Sequence, residues 1–217
     1  GGAPMTPELE ERLRTGKKTS RIIDPPDGEI PYLPWAEAQA KIYYDAHMDP
    51  PPTLLDPVGR CIVQSVPRAM YQGEYEIFQP PGYVVFLPAK VHQYRIVPLN
   101  DDRPPLGKDI QLYMGDSRGR WEGNTLVINS SNFTNKTWFD IVGSFHTDEA
   151  RFEERFTVVD ANRIDYRVTV HDPKAFSRPW TIATTLARVT ENGYEIIEEA
   201  CHEGERWSSE DLLGPAQ

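Results

Sequence analysis

The sequence predicts an all-β fold: an antiparallel up-and-down barrel carrying a proline-rich, partly helical N-terminal arm. Three observations predict it. Ten of the twenty prolines fall within residues 1–60. From about residue 74, short runs of alternating apolar and polar residues are separated by tight turn signals. The 217-residue chain is 39% hydrophobic, enough for a globular core, and has no run of about 18 apolar residues to cross a membrane.

The arm comes first. Its start, Gly1-Gly2-Ala3-Pro4, reads as a processed end or a tag scar. Thr6-Pro7-Glu8-Leu9-Glu10 places a cap residue before a first-turn proline and acids in the first turn, a helix start. Pro34 opens a second helix through Trp35, Ala38 and Ile42 that ends before Asp49-Pro50. Proline fixes φ and removes a donor, so residues 1–60 are not sheet core. Tyr32, Leu33, Trp35, Ile42, Tyr43 and Tyr44 need a surface to pack on, and the barrel domain, residues 61–217, supplies it.

The strands follow in sequence. Glu74–Gln79 and Tyr83–Leu87 flank Pro80-Pro81-Gly82, and Val91–Val97 follows Pro88-Ala89-Lys90. Gly119–Glu122 and Thr125–Ser130 flank Gly123-Asn124; Arg151–Val159 and Arg163–His171 flank Asp160-Ala161-Asn162. Thr181–Val189 and Tyr194–Cys201 flank Asn192-Gly193, the strongest hairpin signal in the chain. Nine or ten sequential antiparallel strands close into a barrel or stack as a sandwich. The short hairpins favour a lipocalin- or calycin-like barrel.

Charge narrows the function. The 33 acidic against 23 basic residues leave a net charge of −10. That speaks against nucleic-acid binding and against docking on anionic lipid. Cys61 and Cys201 lie 140 residues apart and at no metal-binding spacing. They form either one long-loop disulfide or two buried thiols. No dinucleotide, nucleotide or hydrolase-elbow motif is present.

Alternation assigns faces. Phe152, Phe156 and Val158 share one face, opposite Ile164, Tyr166, Val168 and Val170. A three-residue loop with Asn162 in left-handed φ pairs 158 with 164, 156 with 166 and 154 with 168. Glu154 then sits on the apolar face, where a carboxylate must be paired or functional. Arg118 or Arg120 is its expected structural partner. In the last hairpin Ile196, Glu198, Ala200 and His202 share the inward face, with Val189 opposite Ile196. In the first meander His92 lies with Tyr94 and Ile96, and Gln93 and Arg95 face away.

The stretch Met114-Gly115-Asp116-Ser117-Arg118-Gly119-Arg120-Trp121-Glu122-Gly123-Asn124-Thr125-Leu126-Val127 is distinctive, as is Ala200-Cys201-His202-Glu203-Gly204. With Thr157–Asp160, Val168–Pro173 and Arg178–Thr181 they resemble a large family of uncharacterised, mostly exported bacterial proteins over about residues 57–205. The resemblance implies a periplasmic or secreted home and no assigned reaction. Its motifs fall on His92, on Glu154-Arg155-Phe156 and on Glu198 to Glu205. The chain departs from the family pattern at Gln93, Arg151, Glu199 and Glu205.

Two His, two Glu and a Tyr aimed at one interior suit acid–base chemistry. The expected activity is a cofactor-free lyase, dehydratase, isomerase or cyclase acting on a mainly apolar or aromatic small molecule. His92, His202, Glu154, Glu198 and Tyr166 are the candidate catalysts. Tyr94, Arg118, Arg120, Trp121 and Phe156 are the candidate substrate contacts. The alternatives are a lipocalin-like carrier without turnover, a metal-assisted enzyme using His92, His202 and the two Glu residues, and an envelope module. A homodimer is left open.

Overall fold

The computed structural model of the protein describes residues 21–91, 93–104, 106–197, 199 and 201. The helix expected at Thr6 lies outside them. The described residues hold two α-helices, α1 (Pro34–Ala46) and α2 (Arg68–Tyr71), and two short 3-10 helices, Pro52–Leu54 and Pro57–Arg60. Their nine strands are β1 (Ile22–Asp24), β2 (Tyr75–Phe78), β3 (Tyr83–Pro88), β4 (Arg95–Pro98), β5 (Asp116–Glu122), β6 (Thr125–Ser131), β7 (Arg151–Asp160), β8 (Arg163–His171) and β9 (Trp180–Ala187).

The strands form two antiparallel sheets, one ordered β1-β9-β8-β7-β6-β5 and one ordered β2-β3-β4. The fold is therefore mostly β, with sequential hairpins as expected. Among the described residues the strands do not close into a ring. β4 and β5 are linked by a bridge from Leu99 to Gly119, where the backbones approach closely. A Cβ on Gly119 would lie 2.9 Å from Leu99 Cδ2.

The β7–β8 register is the one alternation demands, with 158 opposite 164, 156 opposite 166 and 154 opposite 168. The turn is tighter than expected. Asp160 pairs with Arg163, and an irregularity between Val158 and Asp160 absorbs the extra residue. Asn162 does not need left-handed φ; its N–H is held by Asp160 Oδ1 at 2.8 Å.

The last expected hairpin does not form. Residues 194–197 carry no strand, and Val189 is exposed. The Asn192-Gly193 turn is made, with Gly193 at φ 77°, but the chain then runs to the β3–β4 loop. Glu199 pairs there in parallel with Lys90, and Cys201 is disulfide-bonded to Cys61. This tether, not β9, takes the tail. Glu198, Ala200 and His202 lie outside the described residues.

The sheets pack face to face over aromatic side chains. Phe86 of β3 meets Phe156 of β7 at 5.2 Å, and Phe156 meets Tyr166 at 4.6 Å. Beyond them Phe133, Phe139, Phe152 and Trp180 continue the core. The arm is built in, not merely laid on. β1 extends the larger sheet from β9, and Leu33 N–H donates to Ala175 O at 2.7 Å. Tyr43 of α1 packs on Trp138 at 4.8 Å. Gly143, at φ 93°, must lack a Cβ, which would sit 2.1 Å from Tyr43 Cβ. Trp35, Ile42 and Tyr44 stay half-exposed, so α1 buries a narrower stripe than its composition suggests. No helix among the described residues is long and apolar enough to cross a membrane.

The disulfide closes a loop of 140 residues. Chain entropy gives such a link about 4–5 kcal/mol. Reduction, or Cys201→Ser, is expected to lower the unfolding midpoint by at least about 10 °C for a domain of this size. Thermal unfolding with and without dithiothreitol checks it; an unchanged midpoint would show that the tail is held by other contacts.

Candidate functional site

The interior carries one charged pair that spans the two sheets. Arg95 of β4 and Glu154 of β7 are both fully buried. Arg95 Nη1 donates to Glu154 Oε1 at 3.0 Å, and Nη2 donates to Oε2. Tyr166 Oη donates to Oε1 at 2.8 Å. Arg95 Nε and Nη2 also lie within hydrogen-bond distance of Ser117 Oγ, at 3.2 and 3.1 Å, and Nη2 of Ser130 Oγ at 2.9 Å. The Phe86 ring lies 5.8 Å from the guanidinium.

This arrangement corrects two expectations. The partner of Glu154 is Arg95, not Arg118 or Arg120. β5 turns Ser117 and Gly119 inward, which leaves Arg118 and Arg120 on its other face. Arg118 binds the carbonyls of Arg103 and Pro104 and the Asp116 carboxylate. Arg120 joins Glu122 and Arg155 on the surface. The parity of β4 is also reversed. Gln93, Arg95 and Val97 point inward, and Tyr94 and Ile96 are 64% and 52% exposed. Trp121, at the end of β5, is exposed as well.

Of the expected site residues, Glu154, Tyr166 and Phe156 come together. Tyr94, Arg118, Arg120 and Trp121 do not join them. His92, His202 and Glu198 lie outside the described residues. Both oxygens of Glu154 are engaged, so acting as a base would mean breaking the pair. Burial and the Glu154 charge hold the Tyr166 phenol well above its usual range. It donates a hydrogen bond but is no base near neutrality. Tyr75 is raised for the same reasons, burial first, and its buried hydroxyl has no partner among the described residues.

A second polar group was not anticipated. Residues Gln64 to Met70 are all buried, although much of the stretch is loop. The orientations of its amides follow from Arg68, which has only donors. Arg68 Nη1 and Nη2 grip Asp56 at 2.8 and 2.7 Å, and Nε donates to Gln72 Oε1 at 2.7 Å. Gln72 Oε1 also accepts from Gln64 Nε2 at 3.4 Å, which leaves Gln64 Oε1 free. Gln64 N–H donates to Gln93 Oε1 at 3.0 Å, which leaves Gln93 Nε2 free. Ser65 Oγ is free too; all three atoms lack a partner among the described residues. These three residues are 3%, 4% and 1% exposed. Around them Cys61, Ser65 and Val91 all hold φ at 59°. For β-branched Val91 that conformation is costly, and such strain collects at functional sites.

His146 is buried among Phe133, Phe139 and Phe152. Its Nδ1 donates to Thr147 O at 2.9 Å, and Nε2 lies 3.0 Å from Thr137 Oγ1. On the outside, a cleft of about 420 Å³ runs between Tyr83, Ile96, Pro98 and Leu112 and the charged Asp101, Arg103 and Asp116. Its charges are already paired, Asp101 with Arg103 and Asp116 with Arg118. No group of three His, Cys, Asp or Glu residues suited to a metal is gathered among the described residues. Compared with protein families, with curated proteins and with solved structures, the chain matches none of them.

Two outcomes follow. Glu154→Leu strands a buried guanidinium and is expected to cost about 3–5 kcal/mol. Adding Arg95→Met removes the stranded charge and restores most of that loss; urea unfolding of the single and double variants measures both, and additive losses would deny the coupling. Burial pushes the His146 pKa below its ordinary 6.5. The unfolded chain therefore takes up a proton there first as pH falls. Stability is full above about pH 6.5 and drops below it, toward the lowered folded value. His146→Gln should lose less midpoint between pH 7.5 and 5.5 than the wild type, as thermal scans at the two pH values read directly.

Proposed function

We propose that the protein binds a small, neutral organic molecule through Gln64, Ser65 and Gln93. The supporting observation is that these three side chains, all more than nine-tenths buried, keep polar atoms of fixed type that have no partner among the described residues. They offer an acceptor at Gln64 Oε1, a donor at Gln93 Nε2 and a hydroxyl that is either. A complementary group donates once and accepts once, as a primary carboxamide, a lactam or an un-ionised acid does. An anion is disfavoured by Gln64 Oε1, and Arg68 of the same segment is taken by Asp56. Buried Val66, Ala69 and Met70 of the same segment supply apolar surroundings, which suits a ligand with an apolar or aromatic body. The Cys61–Cys201 bond supports a periplasmic or secreted home.

A second reading adds turnover. His92 directly precedes Gln93, and His202 directly follows the tethered Cys201. Either imidazole would move a proton on a ligand held by the three side chains. Glu154 and Tyr166 then act only as scaffold.

Benzamide carries the donor–acceptor pair on an aromatic body, and N,N-dimethylbenzamide lacks the donor. Calorimetric titration is expected to show benzamide binding the wild type. Ser65→Ala, Gln64→Leu and the dimethyl analogue should each weaken it at least about tenfold, or about 1.4 kcal/mol. If benzamide does not bind and Ser65→Ala raises the unfolding midpoint, the hydroxyl is an orphan and the reading fails. For turnover, a His92→Ala/His202→Ala variant should bind unchanged and convert nothing; undiminished conversion would end that reading.

A further inference from the structure

We propose that β2 pairs with β2 of a second copy of this chain, about a two-fold axis at Ile77, and so joins the two three-stranded sheets into one. The phase of β2 follows from the hydrogen bonds beside it. Ala89 N–H donates to Glu74 O at 2.9 Å, in line with the register Tyr75 to Pro88. Antiparallel pairs alternate between hydrogen-bonded and open. Glu76 and Phe78 therefore turn their N–H and C=O toward β3, and Tyr75 and Ile77 turn theirs away from it. No backbone partner for the outward groups is found among the described residues.

Exposed edges are normally blunted by proline, lysine or a bulge. β2 reads Tyr-Glu-Ile-Phe: it is short and carries one charge, Glu76, but has no proline, lysine or bulge within it. Its Ile77 and Phe78 are exposed, and the outer face continues through Tyr83, Leu87 and Ile96, all exposed as well. A strand paired antiparallel with itself is self-complementary under a two-fold axis, which makes a second copy the natural occupant.

Charge selects the register. An axis at Glu76 sets two carboxylates directly opposite, which is destabilising. An axis at Ile77 sets Ile77 against Ile77 of the second copy on the inner face. Glu76 then lies against Phe78 of the second copy on the outer face. The apolar surface at the edge itself is chiefly that of Ile77 and Phe78, far below the roughly 800 Å² per partner of a standard interface, so backbone hydrogen bonds carry the pairing. The pairing is therefore weak and reversible. Each chain carries a net charge of −10, so added salt screens repulsion and strengthens the pairing.

Sedimentation velocity over about 1–200 μM protein, in low and in roughly 0.3 M salt, tests it. The expected result is a monomer–dimer equilibrium that strengthens severalfold with salt. Ile77→Pro removes an N–H that faces away from β3, so the β2–β3 bonds persist and the unfolding midpoint stays near wild type. Dimerisation should weaken more than about tenfold, the loss of a central backbone pair. Glu76→Gln should leave it nearly unchanged. A monomer at every concentration, a dimer that survives Ile77→Pro, or a dimer much strengthened by Glu76→Gln each overturns the proposal. Protection of the Tyr75 and Ile77 amides from hydrogen exchange in a monomer would show that something other than a second copy covers the edge.

Discussion

The bond between Arg95 and Glu154 ties the two sheets to one another, and much of the fold can be read from its requirements. A buried ion is costly unless its partner and its remaining hydrogen-bonding sites are all supplied. Here five side chains on five strands supply them: Arg95 on β4, Ser117 on β5, Ser130 on β6, Glu154 on β7 and Tyr166 on β8. Each must face the gap between the sheets at one level. That fixes the parity of every strand involved, because a slip of one residue would turn the polar member to solvent and an apolar neighbour inward. It also brings the end of β4 against β5, where Gly119 lets Val97 and Leu99 press against the backbone.

The same requirement explains which parts of the fold the sequence revealed. β7 and β8 are long, and their alternation is unambiguous, so Glu154 and Tyr166 could be placed inward from the residues alone. β4 has four residues and alternates Arg, Ile, Val and Pro. Either parity buries one apolar residue of β4, and local hydrophobicity favours Tyr94 and Ile96 over Gln93 and Arg95. The choice is made by a carboxylate 59 residues away on the other sheet, which no local pattern reports. Asn192-Gly193 is similar. The turn forms as its residues dictate, but whether a strand follows depends on where Cys201 is anchored, and that is set by Cys61.

Gln64 and Ser65 were harder to see. They sit on a buried segment without a period, so neither the helical nor the strand alternation marks them. Local alternation turns Gln93 outward, and its inward direction follows only once Arg95 is placed. A run of buried residues outside regular structure is unusual, because its polar groups lack ready partners. Recognising such a run requires knowing what covers it.

The two polar groups in this interior differ in one respect that separates scaffold from site. Around Arg95 the donors and acceptors are largely matched, the Tyr75 hydroxyl excepted, and the result is rigid and chemically quiet. Around Gln64 they are not. An orphaned buried polar atom costs about 1–3 kcal/mol, against a net stability of about 5–15 kcal/mol for a typical domain. Three such atoms, beside three backbone positions held at positive φ, would absorb a large part of that margin. The Tyr75 hydroxyl and Trp180 Nε1 are single orphans among the described residues, whereas Gln64, Ser65 and Gln93 supply three from one short segment and the residue that hydrogen-bonds to it. On the proposed reading, the unmatched set is complementary to a ligand and not to any described residue of the chain. The types of the free atoms narrow that to a neutral group able to both give and accept a hydrogen bond.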